Sequence, residues 1–142
     1  MDSCLDNSLQ LLVYKSNCIL RNKLHQALKN FDITAEQWVI LKKLSEKEGY
    51  NQKELSRSTF KEQAVITRML DILEHKRLVE RRKSPNDRRE FIISITDKGQ
   101  ELLEKMKPDL LCYQELLDSS LSEEEMLQLK ALLNKLCNGL IS

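Results

Sequence analysis

Apolar positions divide the chain into helical stripes, interrupted once by a stretch of strict alternation. Leu5, Leu9, Leu12, Ile19 or Leu20, Leu24 and Leu28 keep helical spacing through the first segment. Leu11, Tyr14 and Cys18 form a second stripe beside them. A helix with two such faces is built to touch two things, its own core and a second subunit. Thr34, three residues before Gln37, predicts a capped second helix with Trp38, Leu41 and Leu44 inward, stopped at Gly49. Asn51 with Glu54 repeats the cap signal and predicts a short helix over 52–57, with Leu55 inward. After a turn at 58–61, a longer helix spans about 62–76. Its buried face is Ile66, Met69, Leu70 and Leu73; its outward arc is Ala64, Thr67, Arg68, Asp71 and His75.

Alternation then replaces the helical period. Two β-prone runs, 78–83 and 90–95, flank the tip Ser84-Pro85-Asn86-Asp87, and Phe91, Ile93 and Ile95 face inward. Pro85 suits the second position of a type I turn. From Asp97 the helical period returns through Leu103, Met106, Leu110, Tyr113 and Leu117, with Pro108 expected to bend or restart the helix. Ser122 and Glu125 open a final helix carrying Met126, Leu129, Leu133 and Leu136. The result is one mainly helical α+β domain over 1–142. A lobe at 31–99 sits between terminal segments 1–30 and 100–142. Those segments carry more apolar surface than one small lobe needs, which predicts a homodimer made by the first and last helices.

Composition narrows the classes. Gly and Pro are scarce, at three and two, which favours helix. No apolar run approaches a membrane span, and the first ten residues lack the basic and apolar regions of a signal peptide, so a cytoplasmic protein is expected. Cys4, Cys18, Cys112 and Cys137 form no C-x-x-C pair and read as free thiols, with Cys4 exposed. His25 and His75 have no ligand partners at helical spacing, so no metal or other cofactor is expected. No Gly-rich phosphate loop or nucleophile–base arrangement is present, which argues against an enzyme.

Charge is nearly balanced overall but not along the chain. Residues 50–100 hold 12 Lys/Arg and 8 Asp/Glu, while the remainder is net acidic. Seven of the basic residues crowd the hairpin between Lys76 and Arg89. The order helix, short helix, turn, helix, hairpin, helix is the winged helix–turn–helix plan, in which the second helix of the pair enters the major groove. On its outward arc Ala64 offers a methyl for thymine, Thr67 a hydroxyl, and Arg68 a guanidinium for guanine. Gln63 reaches adenine or a phosphate; Ser56, Ser58, Thr59 and Lys61 sit where they would hold the phosphate backbone. Arg88 and Arg89, beside the tight turn, suit the negative potential of a narrow minor groove. Asp87 reads as a brace for the Arg89 guanidinium.

Asp87-x-Arg89, five residues, then Ile95-Thr96 resembles the D-x-R-x5-L-T signature of the MarR (multiple antibiotic resistance regulator) family. Leu73-Glu74, Leu78-Val79-Glu80-Arg81 and Thr96-Asp97-Lys98-Gly99 resemble the family's passages into and out of the wing. The resemblance implies a homodimer that binds palindromic double-stranded DNA, often as a repressor relieved by a ligand. It implies a minor-groove role for Arg89, a bracing role for Asp87 and a reading face from Gln63 to Arg68. It also implies a pocket for a small lipophilic or aromatic effector, for which Leu11, Tyr14, Cys18, Trp38 and Tyr113 are the candidates. Three positions depart from the family. Arg77 stands where Gly is usual, which requires a left-handed non-Gly residue or another helix exit. Glu62 stands where Ser or Asp usually caps the recognition helix. Gln10 stands where the peroxide-sensing branch has its reactive Cys, although Tyr14 is kept. Two rival readings are a thiol-responsive regulator using Cys18 and a winged-helix protein–protein module without DNA binding.

Overall fold

The computed structural model describes residues 8–141; Cys4 and Leu5 lie outside them. Helix α1 (Leu9–Ala27) starts at Ser8, whose Oγ accepts the Leu11 amide at 3.3 Å. Helix α2 (Ala35–Glu46) opens with the expected capping box: Thr34 and Gln37 exchange two 3.1 Å hydrogen bonds. Strand β1 (Tyr50–Asn51) leads directly into helix α3 (Gln52–Thr59), where Asn51 Oδ1 accepts the Glu54 amide at 2.8 Å. Helix α4 (Gln63–His75), strands β2 (Val79–Lys83) and β3 (Phe91–Ile95), and helices α5 (Asp97–Asp118) and α6 (Glu123–Leu140) complete the order. The antiparallel sheet runs β1-β3-β2, with Tyr50 opposite Ile93, Val79 opposite Ile95 and Lys83 opposite Phe91. This is a mainly helical winged helix–turn–helix architecture.

The core lies in the lobe. Ile40, Leu41, Leu55, Ile66, Leu70, Leu73 and Ile93 are fully buried, and Leu28 from the end of α1 and Met106 from α5 close the cluster. Phe91, expected to be an inward strand residue, is instead 43% exposed at the outer end of β3. Its partner Lys83 is the last residue of β2, so the sheet ends there without a layer to cover it.

Both helices of the helix–turn–helix end on left-handed residues that are not Gly. Arg77 has φ 63°; its amide donates to the Glu74 carbonyl, and the Leu78 amide donates to the Leu73 carbonyl, each at 2.9 Å. That is a Schellman ending with Arg in the Gly position. Phe60, at φ 56°, ends α3 in the same way, with the Lys61 amide donating to the Ser56 carbonyl at 3.2 Å. Each side chain costs about 1 kcal/mol relative to Gly. Gly99, in contrast, is held by space: an added Cβ would lie 2.5 Å from the Leu78 carbonyl oxygen and 2.6 Å from Ile95 Cγ1.

The terminal helices differ from the lobe. Helix α6 begins with the predicted Ser122–Glu125 capping box but buries none of its residues. Leu127, Leu129, Leu132, Leu133 and Leu136 on α6, with Leu9, Leu12, Ile19 and Leu20 on α1, are exposed in the single chain. Helix α5 runs uninterrupted through Pro108, so the expected restart does not occur. Pro108 is exposed, so water can reach the backbone carbonyl that its missing N–H would have paired. Among the described residues no helix is long and apolar enough to cross a membrane.

Candidate nucleic-acid interface

Burial of Ile66, Leu70 and Leu73 fixes the roll of α4 and turns Gln63, Ala64 and Arg68 to the surface. Glu62, the weak cap, makes no side-chain cap bond. Thr67 is half-buried at the margin of the outward arc. Its hydroxyl donates to the Gln63 carbonyl at 2.9 Å and accepts from Gln52 Nε2, which also lies 3.3 Å from that carbonyl. The hydroxyl expected to touch DNA is therefore engaged within the protein.

The turn before α4 departs from expectation in the same way. Ser56 is only 8% exposed, and its hydroxyl donates to the Lys61 carbonyl. Ser58 and Thr59 donate to the Leu55 carbonyl at 3.1 and 2.8 Å. The hydroxyls expected to hold phosphate are instead committed to main-chain carbonyls of α3 and of the turn after it. Ser56 in particular is buried. Lys61 is half-buried.

The wing presents Asp87, Arg88 and Arg89 to solvent. Asp87 does brace the tip, but through the main chain: its Oδ1 accepts the Arg89 amide at 2.9 Å, not the guanidinium. This two-residue side-chain-to-backbone turn is the local bond an Asp makes most easily. The Ser84 amide donates to the Glu90 carbonyl at 2.9 Å, which closes the tip, and the Arg89 side chain is exposed with no ion-pair partner among the described residues. Gln63 from α4 and Arg89 from the wing line one groove of about 290 Å³, together with Asn51, Gln52 and Phe91.

Two further residues join these elements, and the sequence pattern singled out neither. Gln52 ties α3 to α4 as described. Arg81, on β2, reaches back to α4: its Nη2 contacts Asp71 and lies 3.1 Å from Glu74, while Nε is 3.4 Å from Glu74. The hydrogen bond to Glu74, ahead of that to Asp71, holds the Arg81 pKa above its usual value. Asp71 carries a negative charge on the outward arc that would repel DNA, and Arg81 neutralises it. The signal available was the pair Asp71 and Glu74, one helical turn apart, ahead of a basic strand. Gln52 carried no comparable signal.

The five candidate pocket residues are not brought together. A cavity of about 340 Å³ lies between α1, α2, the helix–turn–helix turn and α5, lined by Leu20, Arg21, Leu24, Val39, Lys61 and Tyr113 among others. Only Tyr113 of the five belongs to it, and burial raises its hydroxyl pKa. Leu11 and Tyr14 are 41% and 65% exposed. Cys18 is half-buried on α1, and Trp38 packs against the core with its Nε1 unpartnered. The cause is the rotation of α1: it turns the Leu20–Leu24 stripe to the cavity and leaves the Leu11–Tyr14 stripe outside. Arg21, paired with Glu36 at 2.6 Å, closes one wall. Among the described residues no three His, Cys, Asp or Glu side chains are grouped to hold a metal ion.

The MarR family model matches residues 33–91, the stretch from Ile33 to Phe91 that holds the helix–turn–helix and most of the wing. An HTH-type transcriptional regulator of Bacillus cereus is 30% identical over 135 residues, covering 92% of this chain and 90% of that one. The chain belongs to the MarR family. It is accordingly a winged-helix transcriptional regulator and not an enzyme. The HTH-type transcriptional regulator YhbI of Bacillus subtilis is 38% identical over 78 residues, 55% of this chain and 51% of that one. The chain thus matches about half the length of that relative. Among solved structures, a mutant MarR from Escherichia coli complexed with operator DNA superposes with a TM-score of 0.87 and 27% identity. That match covers 95% of this chain and 99% of the other.

Proposed function

We propose that this MarR-family protein acts in the cytoplasm as a homodimer on palindromic double-stranded DNA, repressing transcription until a small lipophilic or aromatic effector releases it. One observation carries the reading: Gln63, Ala64 and Arg68 stand outward on α4, while Arg89 on the wing lines the same groove as Gln63. A rigid helix for the major groove and an unencumbered arginine for the minor groove are thereby set side by side. That the similar E. coli protein is complexed with operator DNA supports the reading.

The dimer rests on the terminal helices. Helix α6 buries nothing in the single chain, and its leucines and those of α1 are exposed. A second copy covers that surface and sets two recognition helices about one DNA turn apart. The cavity lined by Tyr113 and Lys61 is the candidate effector site, because its walls include both α1 and the turn that leads into α4. A ligand there releases DNA by favouring a dimer whose helices are differently spaced.

Arg89 provides the test. Arg89→Ala should weaken binding to the preferred duplex by about 1–3 kcal/mol and flatten the salt dependence of affinity by about one phosphate equivalent. Unchanged affinity for every duplex over a salt titration would refute the assignment of the wing.

A further inference from the structure

We propose that Gln52 is a specificity-positioning residue, which commits the Thr67 hydroxyl to the protein and leaves the recognition helix to present a pair of methyl groups, Ala64 and Thr67, to DNA. The inference rests on the DNA-reading function above and names what that surface recognises.

A threonine hydroxyl has one proton and two lone pairs. The proton goes to the Gln63 carbonyl at 2.9 Å, and one lone pair accepts from Gln52 Nε2. The orientation of the Gln52 amide follows from chemistry: the Gln63 carbonyl 3.3 Å away can only accept, so the group facing it is the NH₂. Thr67 therefore has no proton left for the major-groove acceptors of adenine, guanine or thymine. What remains for recognition is its γ-methyl and a single acceptor lone pair. Ala64, exposed and three residues earlier, lies on the same helix face. Two neighbouring methyls are an apolar step, and the apolar feature of the major groove is the C5-methyl of thymine.

Gln52 sits on the first helix of the pair, at the margin of the groove that holds Gln63 and Arg89. Its role is to position Thr67, not to touch DNA. Without its amide, a second lone pair of the Thr67 oxygen opens to base amino donors, and the Thr67 side chain is held by the Gln63 carbonyl alone.

The test removes one methyl from either side. A duplex that the full-length protein enriches from random DNA is scanned with uracil in place of each thymine, which deletes only the C5-methyl. The wild-type protein should lose about fourfold in affinity at one or two positions, the worth of one buried methyl. Thr67→Val keeps that sensitivity, and Thr67→Ser abolishes it at one position. Gln52→Met, which keeps the length of the side chain and loses its hydrogen bonds, diminishes the sensitivity, and Thr67→Val restores it when combined with Gln52→Met. The proposal falls if no thymine methyl matters to the wild type, if Thr67→Val loses the sensitivity while Thr67→Ser keeps it, or if Gln52→Met weakens every duplex equally. A wild-type protein that enriches no duplex at all would instead defeat the DNA-reading function itself.

Discussion

The central lobe and the helices that flank it use the same residue types in opposite ways. In the lobe, leucine and isoleucine from α2, α3, α4 and β3 meet in one fully buried cluster. On α6, six leucines in eighteen residues remain outside it, and the helix buries nothing. Burial of a leucine contributes about 2 kcal/mol, so a chain that leaves this many exposed forgoes stabilisation that only another surface can return. The lobe's core is closed within one chain, with Leu28, Leu103 and Met106 supplied from the flanking segments, whose outer faces stay exposed.

That contrast can be broken from either side. A DNA-bound monomer would grip one half-site only, so the largest effect falls on the flanking helices. Leu133→Glu, on the uncovered face of α6, should leave the lobe folded, shift sedimentation to the monomer and lower DNA affinity by about 100-fold. If the variant remains a dimer, another face holds the copies together. Leu70→Ala opens a cavity in the lobe and should cost about 3 kcal/mol, seen as a lower denaturation midpoint. Gly99→Ala drives a methyl against the Leu78 carbonyl and Ile95, where the lobe hands over to α5, and should cost about 2 kcal/mol in chemical denaturation. The smallest change has the opposite sign. Arg77→Gly relieves the left-handed helix ending at φ 63° and should raise stability by about 1 kcal/mol. An unchanged or lower midpoint would mean that Arg77 returns its strain through interactions of its own.

Most of the lobe was legible because its signals are local. The caps at Thr34 and Asn51, the inward stripe of α4 and the tip of the hairpin each need only a few neighbouring residues. Strand β1 was not, since two residues cannot display an alternation; its pairing with β3 is a tertiary fact. Helix α5 passing through Pro108 was not either, because an exposed carbonyl can use water where the sequence shows only a missing donor. The candidate site divides along the same line. Exposure of Ala64 and Arg68 followed from periodicity, that of Gln63 from its place in the first turn of α4, and that of Arg89 from its place beside the tight turn. What the hydroxyls of Ser56 and Thr67 do did not, because it depends on the Lys61 carbonyl and on Gln52, placed by the fold. Asp87 lies between these cases: bracing was readable, but which atom of Arg89 it braces was not. The pocket candidates fared worst, since choosing among the stripes of α1 requires knowing how that helix is rotated against α2 and α5.

The central claim is that one self-contained reading lobe works as half of a symmetric pair held by the terminal helices. Selection of bound fragments from random duplex DNA by the full-length protein tests it most directly. The account predicts an inverted repeat with half-site centres about 10 base pairs apart. Enrichment of a single unrepeated half-site, or of no sequence at all, would contradict it.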